Sequence, residues 1–265
     1  MRNSLLSLIL AVLTFSLSTS AIDHPKRKSK SGREKIVAAK LDIYLLIGQS
    51  NMAGRAEIEP MDKDSLTQVW LFAGVAGNEW ERAANPLNKY STVRKDLSMQ
   101  KMGPGYYFAK TMIANRPNQP IGLVVNAKGG TSISEWMPGE KLYNEAVIQV
   151  KKASEWGILK GIVWHQGESD VAKTEEYSSK IARLIQTLRK DLGKSKLPFV
   201  AGQLSEDQPA REVFNRMILK LPEKVKYTGV ATSEGTTTFD KTHFNSSSQR
   251  LLGERYAKEM LKLTK

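Results

Sequence analysis

The 265-residue chain contains no cysteine and only three histidines, His24, His165 and His243. Without thiols it has no disulfide framework, no catalytic cysteine and no sulfur-ligated zinc or iron site. Three histidines also leave little from which to build a His-rich metal site. The longest apolar run, Leu5–Leu17, has 13 residues, short of the ~20 that a membrane-spanning helix needs. Neither a phosphate loop nor a dinucleotide fingerprint occurs, because neither glycine spacing is present. What the chain does hold is 40% hydrophobic and 25% charged residues. That balance excludes a disordered polymer and suits one large domain or two small ones.

Arg2, the run LLSLILAVLTFSL and the small residues Thr19 and Ala21 read as an export signal over residues 1–21, which predicts a secreted or periplasmic mature protein. Residues 22–38, including IDHPKRKSKSGREK, lack hydrophobic periodicity and read as a basic, flexible leader. Residues 39–265 then form a single domain. The formal charge is +13, and seven basic and two acidic residues lie before position 36, which leaves +8 for the remainder. That excess is spread over helical surfaces, as at Lys180, Arg183, Arg189 and Lys190. It is not interleaved with aromatics on one face, so the sequence carries no nucleic-acid signature.

Continuous apolar runs at Ile43–Ile47, Ile121–Val125, Gly161–Trp164, Pro198–Ala201 and Tyr227–Val230 read as strands covered on both faces. Between them, Tyr177, Ile181, Leu184, Ile185, Leu188 and Leu192 fall at helical spacing, closed by Gly193. A C-terminal helix is predicted from Ser246–Gln249, which resembles a capping box, to about Leu263. Residues 104–114 and 141–156 also read as helical. The alternation predicts a three-layer α/β/α sandwich around a mostly parallel, five-stranded sheet. Ligands then collect at the carboxyl ends of the strands.

Four polar clusters stand at those ends: Gly48–Arg55, Asn126–Ser132, His165–Asp170 and Asp240–Asn245. Ser50 follows the first strand, but a serine hydroxyl is a weak nucleophile without a base, and the base needs a group to orient it. His24 falls in the leader. His165 follows a buried strand, where it either satisfies the core or lines a cleft. His243 lies three residues after Asp240, a spacing at which two side chains in a tight turn can face each other. Backbone N–H groups at Gly129 and Gly130, the Ser50 N–H and the Gln166 amide are candidate oxyanion donors. Gln49, Asn51, Trp136 and His165 are candidate substrate contacts. Trp70 and Trp80 are further aromatic candidates, and Arg55 and Lys128 either attract an acidic ligand or brace loops.

The blocks GQSNMAGR at 48–55, KGGTSISEW at 128–136, WHQGESD at 164–170 and DKTHF at 240–244 resemble, in order and over residues 42–263, the SGNH (GDSL-type) hydrolase superfamily. The similarity is to its sialate O-acetylesterase-like branch and the acetylxylan esterases of carbohydrate esterase family six. The resemblance implies a flavodoxin-like fold and a serine esterase that needs no metal or cofactor. It makes Ser50 the nucleophile, His243 the base and Asp240 the orienting acid, with Glu168 as the alternative acid or a neighbour that organises the site. The glycine of the second block donates to the oxyanion, Gly130 or Gly129. Gln166 stands where the wider superfamily has asparagine. The implied substrate is an O-acetylated carbohydrate. A short-chain carboxylesterase and an inactive carbohydrate-binding homologue are the alternative readings of the same scaffold.

Overall fold

In a computed structural model, residues 40–265 are described. The predicted signal and leader, residues 1–21 and 22–38, lie outside them. Strands run over Leu41–Gly48 (β1), Val69–Val75 (β2), Asn78–Arg82 (β3), Ile121–Val125 (β4), Gly157–His165 (β5), Phe199–Gly202 (β6) and Thr228–Ala231 (β7). The helices are Ser50–Ala53 (α1), Gly105–Asn115 (α2), Lys141–Ala153 (α3), Thr174–Asp191 (α4), Ala210–Leu219 (α5), Leu221–Lys224 (α6) and Ser246–Leu263 (α7).

The sheet has seven strands in the order β3-β2-β4-β1-β5-β6-β7. The five strands predicted from sequence are its parallel core, β4-β1-β5-β6-β7. Renumbered among themselves they run 2-1-3-4-5, the flavodoxin-like order. The five-strand expectation is corrected by two additions. β2 pairs parallel to β4, and β3 pairs antiparallel to β2 at the sheet edge. β3 (NEWER) buries only Trp80, so no alternating apolar pattern announces it.

Side chains alternate across the strands, and β1 shows how the two cores divide. Leu41, Ile43, Leu45 and Ile47 face one layer, with Leu142 and Val150 of α3, Ile181 and Leu188 of α4 and Phe214 of α5. Tyr44 and Leu46 face the other, with Phe108 and Met112 of α2 and Leu252, Tyr256 and Met260 of α7. Helices thus cover both faces, and the strands can be apolar throughout. The cap of α7 differs from the sequence reading. Asn245, not Ser246, is the capping residue, and its side chain accepts from the Ser248 N–H.

β1 and β5 are neighbours whose connections leave in opposite directions, so their carboxyl ends open the crevice where such sheets bind ligands. Gly48 makes the junction. It sits at φ +139, and a Cβ there would lie 2.1 Å from the His165 carbonyl oxygen. Only glycine lets the end of β1 pass so close to β5.

Candidate active site

Ser50 is the first residue of α1, directly beyond β1. Its Oγ lies 3.0 Å from Nε2 of His243, 193 residues later in the chain. Nδ1 of that ring lies 2.6 Å from Oδ2 of Asp240. The other carboxylate oxygen of Asp240 accepts from the backbone N–H groups of Thr242 (3.0 Å) and His243 (2.7 Å). The Asp-x-x-His segment is therefore a tight turn closed by its own aspartate, with Lys241 in the left-handed region at φ 66. Burial pushes the Asp240 carboxyl up. Hydrogen bonds from the His243 ring and from both turn N–H groups outweigh it and hold the group below its ordinary 3.8.

Two observations explain how a residue near the front of the domain holds one near its end. Asn51, next to Ser50, donates through Nδ2 to the Thr242 carbonyl (3.1 Å), and its Oδ1 accepts from the Phe244 N–H (3.1 Å). It thus grips the backbone on both sides of His243. Asn51 Nδ2 also donates to Oε1 of Glu168 at 2.6 Å. Glu168 is buried, and burial pushes its carboxyl up. The His165 ring, its own backbone N–H and the Asn51 amide prevail, holding it below its ordinary 4.5. No hydrogen bond or ion pair joins Glu168 to His243, so of the two candidate acids only Asp240 reaches the imidazole.

The remaining candidates divide sharply. Gly129 packs against Ser50, since a Cβ on it would sit 3.3 Å from the Ser50 Cβ and 2.6 Å from an Arg55 guanidinium nitrogen. Gly130 is in the left-handed region at φ +71. Among the described residues the N–H groups of Ser50, Gly129 and Gly130 donate to no protein acceptor. That leaves these three donors available around the serine. Gln166 is different. Its Nε2 lies 3.0 Å from Oε1 of Gln49, 2.9 Å from the Thr131 carbonyl and 2.5 Å from Oδ2 of Asp170. Three acceptors already surround an amide with two hydrogens, so Gln166 ties strand ends together and has no donor left for an oxyanion.

The candidate substrate contacts Gln49, Asn51, Trp136 and His165 are all at most 3% exposed. Gln49 accepts from Gln166 through Oε1, and Asn51 spends its side chain on the His243 turn and Glu168. Trp136 lies in the core, edge-on to Trp164 at 5.4 Å, with its Nε1 donating to Thr131. Nδ1 of His165 and the Tyr256 hydroxyl are 2.7 Å apart, with α7 behind them. Trp70 and Trp80 are likewise buried. Glycine-rich context suggested cleft exposure for Trp136, but a large apolar ring beside a buried strand is worth more in the core. The aromatic that does face solvent at the triad was not singled out from sequence. It is Phe239, 56% exposed and stacked on the His243 ring at 5.8 Å and 23°. Its position directly before Asp240 was the available signal.

Beside the triad lies a cavity of about 470 Å³ bordered by Arg55, Lys101, Phe239 and Ser247. A larger one, about 670 Å³, lies among Thr174, Val213, Met217 and Lys220 on α4 and α5. Neither cavity is lined by Ser50, His243 or Asp240 themselves, and only the smaller one has wall residues, Phe239 and Arg55, that lie against His243 and beside Ser50.

A family model described as carbohydrate esterase, sialic acid-specific acetylesterase, matches residues 40–262. A probable carbohydrate esterase of Arabidopsis thaliana is 34% identical over 180 residues, which cover 60% of this chain and 66% of that protein. Its crystal structure superposes with a TM-score of 0.76 at 29% identity, over 85% of this chain and all of that one. Human sialate O-acetylesterase is 23% identical over 208 residues, 63% of this chain, and the match spans only 40% of that longer protein. A carbohydrate acetylesterase from Xanthomonas citri superposes with a TM-score of 0.61 at 23% identity, covering 84% of this chain and 56% of that one. At that identity the likeness is one of fold.

Proposed function

Because the chain belongs to the sialic acid-specific acetylesterase family of carbohydrate esterases, we propose that it removes O-acetyl groups from a carbohydrate through an acyl-enzyme on Ser50. The observation that carries this reading is the line Ser50 Oγ–His243 Nε2–His243 Nδ1–Asp240 Oδ2, at 3.0 and 2.6 Å. In it a nucleophile, a base and an orienting anion are in hydrogen-bond sequence.

His243 takes the Ser50 proton as Oγ attacks the acetyl carbonyl. The tetrahedral oxyanion is met by the Ser50 N–H and the amides of Gly129 and Gly130. Collapse breaks the bond to the sugar oxygen, which leaves with the proton from His243. Water, deprotonated by the same imidazole, then releases acetate and restores Ser50. Asp240, already ionised, holds the ring and balances the charge it gains. Acetate is small, and a sugar alcohol is a poor leaving group, so protonation by His243 matters as much as attack. Export by the apolar run at Leu5–Leu17 fits a glycan outside the cytoplasm, and sequencing the mature N-terminus tests that part.

Replacing Ser50 by Ala should lower kcat for acetate release from an acetylated sugar by roughly 10⁴-fold or more. Mass spectrometry of the wild-type enzyme quenched during turnover should find acetyl on the peptide containing Ser50. Full activity in the Ser50→Ala enzyme would remove the nucleophile from this reading.

A further inference from the structure

Phe239 is an unusual neighbour for a catalytic imidazole. One face of its ring lies on His243, at 5.8 Å and 23°, and the residue is nonetheless 56% exposed. Its backbone N–H donates to the His243 carbonyl, so the ring is carried by the same turn as the base. The cavity of about 470 Å³ begins at this ring, which is ample for one sugar unit among ordinary ligand pockets of about 300–1,000 Å³.

The cavity wall is chemically mixed. Arg55 donates through one guanidinium nitrogen to the carbonyls of Gly54 and Met99. Its other terminal nitrogen lies against Gly129 beside Ser50 and forms no salt bridge or hydrogen bond among the described residues. Lys101 adds a donor and Glu57 an acceptor, whereas Asn245 is spent on the cap of α7 and on Thr237. Glu59 is already engaged by Arg250. A flat aromatic face beside both donors and acceptors matches a pyranose, which presents a C–H face and hydroxyls that donate and accept. A fatty acyl chain would leave this wall unsatisfied.

We propose that this cavity seats the sugar ring of the leaving alcohol, with Phe239 as its stacking platform and Arg55 and Lys101 as donors to its hydroxyls. The assignment rests on the esterase reading above and deepens it. The leaving oxygen must take its proton from Nε2 of His243, so the ring that carries that oxygen lies beside the imidazole, where Phe239 and the cavity are. Phe239 is then a specificity residue for the alcohol, and the acetyl group is bound elsewhere.

The test compares two acetate esters, fully acetylated xylose and ethyl acetate, by pH-stat titration. In Phe239→Ala, KM for the sugar ester should rise, and kcat/KM should fall roughly tenfold more than it does for ethyl acetate. Phe239→Trp should restore the preference. Ser247→Trp narrows the cavity at a lining residue outside the triad, and it should raise KM for the sugar ester in the same selective way. An equal loss on both esters in Phe239→Ala would make Phe239 only a support for the imidazole and overturn the proposal. Normal sugar KM in both Phe239→Ala and Ser247→Trp would overturn it as well. Failure of the parent reading looks different, because the wild-type enzyme would then cleave neither ester, or ethyl acetate alone.

Discussion

Two carboxylates near Ser50 are held below their ordinary values, and the reason differs for each residue. Asp240 is half exposed, and its ionised form is fixed by the His243 ring and two turn N–H groups. The Glu168 side chain is buried, which pushes its carboxyl up, and its charge is held against that by the nearby His165 ring, by its own N–H and by Asn51. Replacement separates their roles. Asp240→Asn should lower kcat by at least roughly 10²-fold. Glu168→Gln keeps an acceptor for Asn51 and should retain most of the wild-type kcat. Its signature is in stability. A carboxylate depressed in the folded state stabilises the fold above its unfolded value, and that contribution is lost as pH falls through the folded value. Scanning calorimetry should therefore show the Tm difference between wild type and Glu168→Gln shrinking below about pH 4.5. A Glu168→Gln enzyme that loses kcat as deeply as Asp240→Asn would restore Glu168 as the acid.

At the level of elements, the site depends on the seam between the α1 end of β1 and the turn before α7. Asn51 is the clasp of that seam, and its removal leaves the Thr242 carbonyl, the Phe244 N–H and Glu168 short of partners. Each buried polar group so exposed costs about 1–3 kcal/mol. Loosening the His243 turn by a fraction of an ångström costs rate as well as stability. Asn51→Ala should thus lower kcat roughly 10- to 100-fold with little change in KM; a rise in KM at constant kcat would show that Asn51 contacts substrate instead. The sequence marked Asn51 as a substrate contact. What it touches depends on a segment 191 residues away, and no local pattern carries that. The long helices were legible because their apolar period is strong, as in α4 from Tyr177 to Leu188. The β2–β3 edge pair was not. β3 has one buried side chain, and its polar surface reads as a loop. Gln166 was misassigned for a related reason, since an amide's availability is decided by its neighbours Gln49, Thr131 and Asp170.

For the molecule as a whole, function requires that the two ends of the domain be brought to one strand edge. β1 enters the middle of the sheet early, and α7 closes the chain against α2 and the β5 side. The seat of α7 therefore sets where His243 stands. Gly253 is the close approach in that seat, where a Cβ would lie 2.4 Å from the Pro104 carbonyl and 2.7 Å from the Tyr107 Cβ. Gly253→Ala should cost about 1–3 kcal/mol by overpacking, seen as a fall in Tm of roughly 2–4 °C per kcal/mol. Leu71→Ala, in the fully buried interior of β2, should cost about 2–5 kcal/mol at a place remote from the triad. The two variants should part company in kinetics measured well below either Tm. Gly253→Ala shifts α7 and the preceding turn, so its kcat should fall several-fold even when it is fully folded. Leu71→Ala should keep the kcat of the wild type until it begins to melt. Equal kcat in both variants would mean that the Asn51 clasp alone places the base, independently of the helix behind it.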